Sequence, residues 1–343
     1  GELTFAGGDY DNPQDADQDN TYELSLRVTD PSGLYADQTL RISVTNANEP
    51  PTNSGPVALN DTNFQTAVNL WFANQAEANA IYGHISDWNT SAVTDMSNAF
   101  KNRANFNEDI SRWDVSNVTN MNNMFANASA FNQSIGSWDL SSLERMWGMF
   151  NGASSFNQAI GSWDVSSVID MGWVFKDANS FNQDLSIWIT SSVNNMDGMF
   201  AGATKFNQPI GNWDVSSVNN FSWMFDGSSN FNQSIGNWNT SSSTQMAAMF
   251  KNATSFDQDI SSWNVSNVSV MHSMFKGATS FNQPIGIWDV SSANKTWAMF
   301  QNADSFNRFL GDWNTSSVTN MSYMFAGADS FNSSIAGWDI KNV

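Results

Sequence analysis

Phe131-Asn132-Gln133-Ser134-Ile135-Gly136-Ser137-Trp138-Asp139-Leu140-Ser141-Ser142-Leu143-Glu144-Arg145-Met146-Trp147-Gly148-Met149-Phe150 is the stretch on which the fold turns. Its first five residues open and close on apolar side chains and are bounded by Gly136, which predicts a short strand followed by a tight turn. Trp138 to Leu143 reads as a second extended or turn segment. Leu143, Met146, Met149 and Phe150 then follow at helical spacing and predict one or two helical turns.

The stretch is one copy of a unit that recurs every 25 residues, without a gap, from Trp88 to Trp338. Trp stands at 88, 113, 138, 163, 188, 213, 238, 263, 288, 313 and 338, and Phe at 100 through 325 and again at 106 through 331. A Met precedes the first Phe by four, except where Phe221 and Thr296 replace it. Uninterrupted repetition of this kind predicts stacked coils in register, none able to fold alone. The expected fold class is a repeat solenoid of short parallel strands and short helical turns, leucine-rich-repeat-like, in ten coils, with a partial all-β sandwich module at the N-terminus. Strands of neighbouring coils are expected about 4.8 Å apart. The Asn column at 132, 157, 182, 207, 232, 282, 307 and 332, with Asp257 in one coil, is expected to ladder between coils, and the Trp column to stack edge to face.

Composition narrows the function. The 343 residues carry a formal charge of -20 and no basic stripe, which argues against nucleic acid and leaves divalent cations plausible. No cysteine is present, so disulfide and thiolate chemistry are excluded. No apolar run reaches the ~18 residues of a membrane span. No signal peptide opens the chain, and Gly1-Glu2-Leu3-Thr4-Phe5 reads as the middle of a domain, so a fragment of a longer protein is expected. Two histidines far apart, His84 and His272, and no phosphate-binding glycine loop make an enzyme improbable.

Residues 1–49 are expected to be the sandwich part, 50–56 a linker, 57–87 a helical cap with Asp61, Thr62 or Asn63 as N-cap, and 88–343 the repeats. Tyr22 to Val28 and Thr39 to Val44 alternate apolar with polar residues as half-buried strands do, around a turn at Asp30-Pro31-Ser32-Gly33.

Asp9-Tyr10-Asp11-Asn12-Pro13, Asp15-Ala16-Asp17-Gln18-Asp19-Asn20 and Val44-Thr45-Asn46-Ala47-Asn48-Glu49-Pro50-Pro51 resemble the C-terminal half of a bacterial cadherin-like repeat. Leu70-Trp71-Phe72, Tyr82-Gly83-His84-Ile85-Ser86-Asp87-Trp88 and Phe206-Asn207-Gln208-Pro209-Ile210-Gly211-Asn212-Trp213-Asp214-Val215-Ser216-Ser217-Val218 resemble the repeat domain of BspA-like and Mycoplasma lipoprotein-associated surface proteins, near the leucine-rich repeats. Together these resemblances imply an extracellular, cell-surface protein of adhesion type. The first implies calcium held by the acidic clusters, and the second brings no settled ligand.

Two kinds of site follow. Asp11, Asp15, Asp17, Asp19, Asn46, Asn48 and Glu49 are hard oxygen donors suited to calcium, or else a solvated acidic loop. Two further columns vary from coil to coil, which marks a surface, yet they hold Trp147, Trp173, Trp223, His272, Trp297 and Tyr323. Those side chains either form an aromatic strip for a glycan or a protein, or fill gaps between coils. The expected function is an adhesin-type binding module on a calcium-stiffened stalk. The alternative is a spacer or self-assembling surface-layer or fibre protein.

Overall fold

A computed structural model describes residues 21–29, 31–43 and 56–343. The chain divides into two compact units, Gly1–Val57 and Ala58–Val343.

In the first unit the described residues form one antiparallel hairpin, β1 (Thr21–Thr29) and β2 (Tyr35–Ser43), with Thr21 opposite Ser43 and Thr29 opposite Tyr35. Arg27 lies over the Tyr35 ring, 4.0 Å from its centroid. Gly33 takes φ +89°, the left-handed conformation a tight connection needs. The expected sandwich is not found among the described residues, because two strands make a single ribbon with no second sheet to pack on.

The second unit begins with α1 (Phe64–Ala73) and α2 (Gln75–Tyr82). Asn63 is the N-cap of α1 but its side chain makes no capping bond; Asn60 O accepts from Asn63 N and Phe64 N instead. Asn74 caps α2, accepting from Glu77 N while its own amide donates to Glu77 Oε2. Asp61 has another task. Its carboxylate accepts from Thr94 N (2.7 Å), Thr94 Oγ1 (2.6 Å) and Asp95 N (3.1 Å). In the coil that follows, Thr119 N and Asn120 N find their acceptor in Thr94 O, so Asp61 stands in for the carbonyl of a missing previous coil.

After the cap, the strand-and-helix solenoid is not what the chain builds: the coils contain neither β-strands nor α-helices. Each is a succession of reverse turns, seen in one coil as Met199 N to Met196 O, Ala201 N to Gly198 O, Ala203 N to Phe200 O, Phe206 N to Ala203 O, Trp213 N to Ile210 O and Val218 N to Val215 O. The helical reading fails for a stated reason. Two residues per coil, four apart, have positive φ, as at Gly148 and Gly152, and an α-helix tolerates neither. Alternate N–H groups there (Met196, Gly198, Phe200 and Gly202) point out of the coil and donate to the next coil's carbonyls at Asn220, Ser222, Met224 and Asp226.

The strand reading fails because side chains replace the backbone ladder. Along the extended segment, Asn207 N donates to Asn182 Oδ1, and the same bond repeats from Asn132 to Asn332 at 2.8–3.1 Å, passing through Asp257. Strand-like pairing is confined to one isolated parallel bridge per coil, such as Asn195 with Asn220. Each column Trp from 113 on donates its indole N–H to a carbonyl 28 residues earlier, as Trp213 does to Leu185 O at 3.0 Å.

The core is aromatic. Within a coil the two Phe rings lie face to face, 3.9 Å apart for Phe200 and Phe206. Between coils Phe200 stacks on Phe225 at 5.8 Å, and Trp188 on Trp213 at 6.3 Å and 8°. Edge-to-face packing of the Trp column is therefore absent. Units related by near-pure translation carry their rings in the same orientation, so like rings meet parallel and offset. Where translation is broken, at the cap, edge contacts appear: Phe64 meets Trp113 at 76°, and Trp71 meets Trp88 at 86°. Both departures in the Met column are accommodated, Phe221 by stacking on Trp238 and Thr296 by donating its hydroxyl to Asn320 O.

Two outcomes are expected. Burial acts to raise the Asp61 carboxyl, but the bonds from Thr94 and Asp95 outweigh it and hold the group below its ordinary 3.8. A depressed folded value means stability present above 3.8 and lost as pH falls through the folded pKa. The stability gap between the parent and Asp61→Ala, followed by urea unfolding, is thus full at neutral pH and shrinks only below that value. In the middle of the stack, Asn207→Ala strips the acceptor from Asn232 N and Gln233 Nε2. The same assay should show a loss of about 1–3 kcal/mol.

Candidate functional site

The two positive-φ ranks differ in composition. One holds Asn102, Asn127, Gly152, Asp177, Gly202, Gly227, Asn252, Gly277, Asn302 and Gly327, the residues that backbone tolerates. The other runs Asn98, Asn123, Gly148, Trp173, Gly198, Trp223, Ala248, Ser273, Ala298 and Tyr323. Bulky side chains in left-handed backbone cost about 1–2 kcal/mol each, and here they stand where neighbouring coils use glycine.

The residue before each of these belongs to an adjoining rank: Ser97, Asn122, Trp147, Gly172, Asp197, Ser222, Ala247, His272, Trp297, Ser322. Among the described residues, the buried side-chain polar atoms without a hydrogen-bond partner are Asp197 Oδ1, Ser222 Oγ and His272 Nδ1. All three lie on this one rank. An unpaired buried polar atom costs about 1–3 kcal/mol, so their concentration on a single line of the molecule needs an account.

The structure assembles the six aromatic candidates unevenly. Trp147 is half-buried and stacks on Trp173 at 5.4 Å. A Cβ on Gly172 would lie 2.9 Å from Trp147 Cδ1, so the indole fills the notch that glycine leaves. Trp173 fills the Gly198 notch in the same way, while its Nε1 donates to Asp197 Oδ2 at 3.0 Å and Lys176 Nζ sits 5.3 Å from its ring. His272 stacks on Trp297 at 4.5 Å and 7°. Trp223 is 41% exposed, and Tyr323, in the last full coil, 71%. The calcium candidates Asp11, Asp15, Asp17, Asp19, Asn46, Asn48 and Glu49 lie outside the described residues.

Asp197 and Ser222 were not singled out by sequence reasoning as site residues. The rank mixes polar residues with Trp, Gly and Ala, so their polarity alone gave no signal. Burial pushes the Asp197 carboxyl up, the Trp173 bond pulls it down, the Asp170 charge raises it again, and the net direction is upward. Burial and then the Lys295 charge push His272 down, which favours its neutral form. The Asp row after the column Trp is different. Ser hydroxyl and then backbone bonds, from two residues on, hold Asp114, Asp164, Asp214 and Asp289 low, so those carboxylates are engaged in turns. Hollows of about 620 Å³ occur at Pro284, Ile287 and Phe309, and at Met324 and Trp338, where Tyr323 contributes to the wall; neither is lined by an unpaired buried atom.

The split between packed and exposed aromatics is measurable by thermal unfolding. Trp173→Gly removes the Trp147 stack and leaves both Asp197 oxygens unpaired, so it should destabilise by more than about 2 kcal/mol. Trp223→Gly relieves backbone strain and should stay within about 1 kcal/mol of the parent.

The family described as "Mycoplasma protein of unknown function, DUF285" matches residues 66–188, 133–228, 208–308 and 287–343 in overlapping succession. No curated protein and no solved structure matches the chain. Together the matched segments run through the cap and every coil, and the chain belongs to this tandem-repeat family.

Proposed function

We propose that the chain is a non-enzymatic binding module of adhesin type, displayed outside the cell, whose variable ranks take a glycan or protein ligand. One observation carries the reading: the unpaired buried atoms of Asp197, Ser222 and His272 share a rank, and the strained aromatics Trp173, Trp223 and Tyr323 occupy the rank beside it. A fold that repeats its aromatic Phe and Trp columns coil after coil has placed these energetic irregularities on two adjoining ranks. Such costs persist where a ligand repays them. A calcium-stiffened stalk remains part of the proposal and rests on the acidic clusters of residues 9–20 and 44–51.

A spacer or self-assembling layer is the second reading. Its support is the mutual packing of Trp147 with Trp173 and of His272 with Trp297, which fills gaps without reaching outward.

The deciding experiment screens the whole chain against defined arrays of glycans and cell-surface proteins, in calcium and in chelator, beside the double variant Trp223→Gly, Tyr323→Gly. A ligand bound by the parent and lost in a variant of unchanged melting temperature is expected. Concentration-dependent assembly in sedimentation with no array ligand would turn the conclusion to the spacer.

A further inference from the structure

Resting on that reading, we infer that Asp197, Ser222 and Trp223 form a subsite for a neutral saccharide. Asp197 Oδ1 and Ser222 Oγ engage ring hydroxyls, and the Trp223 indole covers an apolar ring face.

The polar half of the subsite consists of two unpaired atoms on consecutive coils, one repeat apart in sequence and on the same rank. Asp197 is not free to turn away, because Oδ2 is held by the Trp173 indole N–H. Ser222 is 1% exposed, and its backbone N–H is already committed to Asn220 Oδ1, so the hydroxyl is its only uncommitted donor. A carboxyl oxygen and a hydroxyl on consecutive coils match a ligand that offers several groups able both to donate and to accept. Neighbouring ring hydroxyls do so; an apolar peptide side chain leaves both atoms orphaned.

The aromatic half is Trp223, the residue after Ser222. It is the exposed indole of the rank, kept at φ +55° where glycine serves two coils of the same rank. An amphipathic ring with a broad apolar face is a platform for the C–H face of a sugar. Charge narrows the class further. Asp170 and Asp197 face this part of the rank, Lys251 is taken by Asp226 at 3.0 Å, and the chain carries -20 overall, so sulfated, phosphorylated or carboxylated sugars are repelled. Neither polar atom reaches solvent in the free chain. Binding therefore requires side-chain movement at this rank.

Titration calorimetry of the whole chain with neutral oligosaccharides tests the inference: glucose-, galactose-, mannose- and N-acetylglucosamine-based tetrasaccharides, each beside a sulfated counterpart. The parent is expected to bind at least one neutral sugar and no sulfated one. Ser222→Ala and Trp223→Gly should each weaken that binding by about tenfold or more, the loss of one hydrogen bond or one stacking contact. Both variants should melt at the parent's temperature or above it, since one removes an orphan hydroxyl and the other a strained side chain. Ile287→Ser, on an exposed site away from the subsite, should bind as the parent does. Sugar binding unchanged in both subsite variants overturns the inference, as does a parent that binds a surface protein and no saccharide. Either result leaves the adhesin reading standing. A parent that binds neither sugar nor protein removes both.

Discussion

The structure depends on the three or four N–H groups that each coil with a successor sends forward from its turn segment. In a helix or a strand such groups are satisfied close by or by a pleated neighbour. Here they alternate outward and meet carbonyls 24 residues on, as Phe200 meets Met224. That demand fixes the coil length, because one residue more or fewer would present a donor to a donor. It also fixes the two left-handed residues, since only their reversal of the backbone keeps successive donors on the same side. The aromatic core follows from the same repetition: rings carried by superposable units have no choice but to lie parallel.

Much of this was legible in the sequence, and the parts that were not have definite causes. Length and phase of the repeat could be read directly, because every coil offers the same Trp and Phe columns. The local conformation could not. Leu143, Met146, Met149 and Phe150 have a spacing that a helical turn and a chain of reverse turns both produce, since each brings every third or fourth side chain inward. The Asn and Gly rank at 102, 127, 152 and onward was the signal that separates the two, because residues tolerant of positive φ at a fixed position mark a turn. The Asn column at 132 to 332 was visible as a ladder. What it replaced was not: an amide side chain accepting from the next backbone N–H makes a strand pair unnecessary.

The candidate site shows the same division. The aromatic members of the variable ranks stood out by size, yet sequence does not tell a Trp that fills a glycine notch, as Trp147 does over Gly172, from one that stands clear, as Trp223 does. Asp197 and Ser222 looked like ordinary surface polarity. Their significance comes from burial without partners, a property of three-dimensional surroundings that no single column displays.

The interchangeability of the coils bears on heredity. Every internal coil presents the same set of donors and acceptors to each neighbour, and Asp61 closes the series by supplying a carboxylate where a carbonyl would otherwise stand. A genetic exchange that adds or removes one whole unit leaves every junction chemically as it was, whereas any other length change breaks a junction. Lineages carrying this chain are therefore free to lengthen or shorten it in quanta of 25 residues. Each such step shifts the place of the variable residues along the stack without disturbing how they are held.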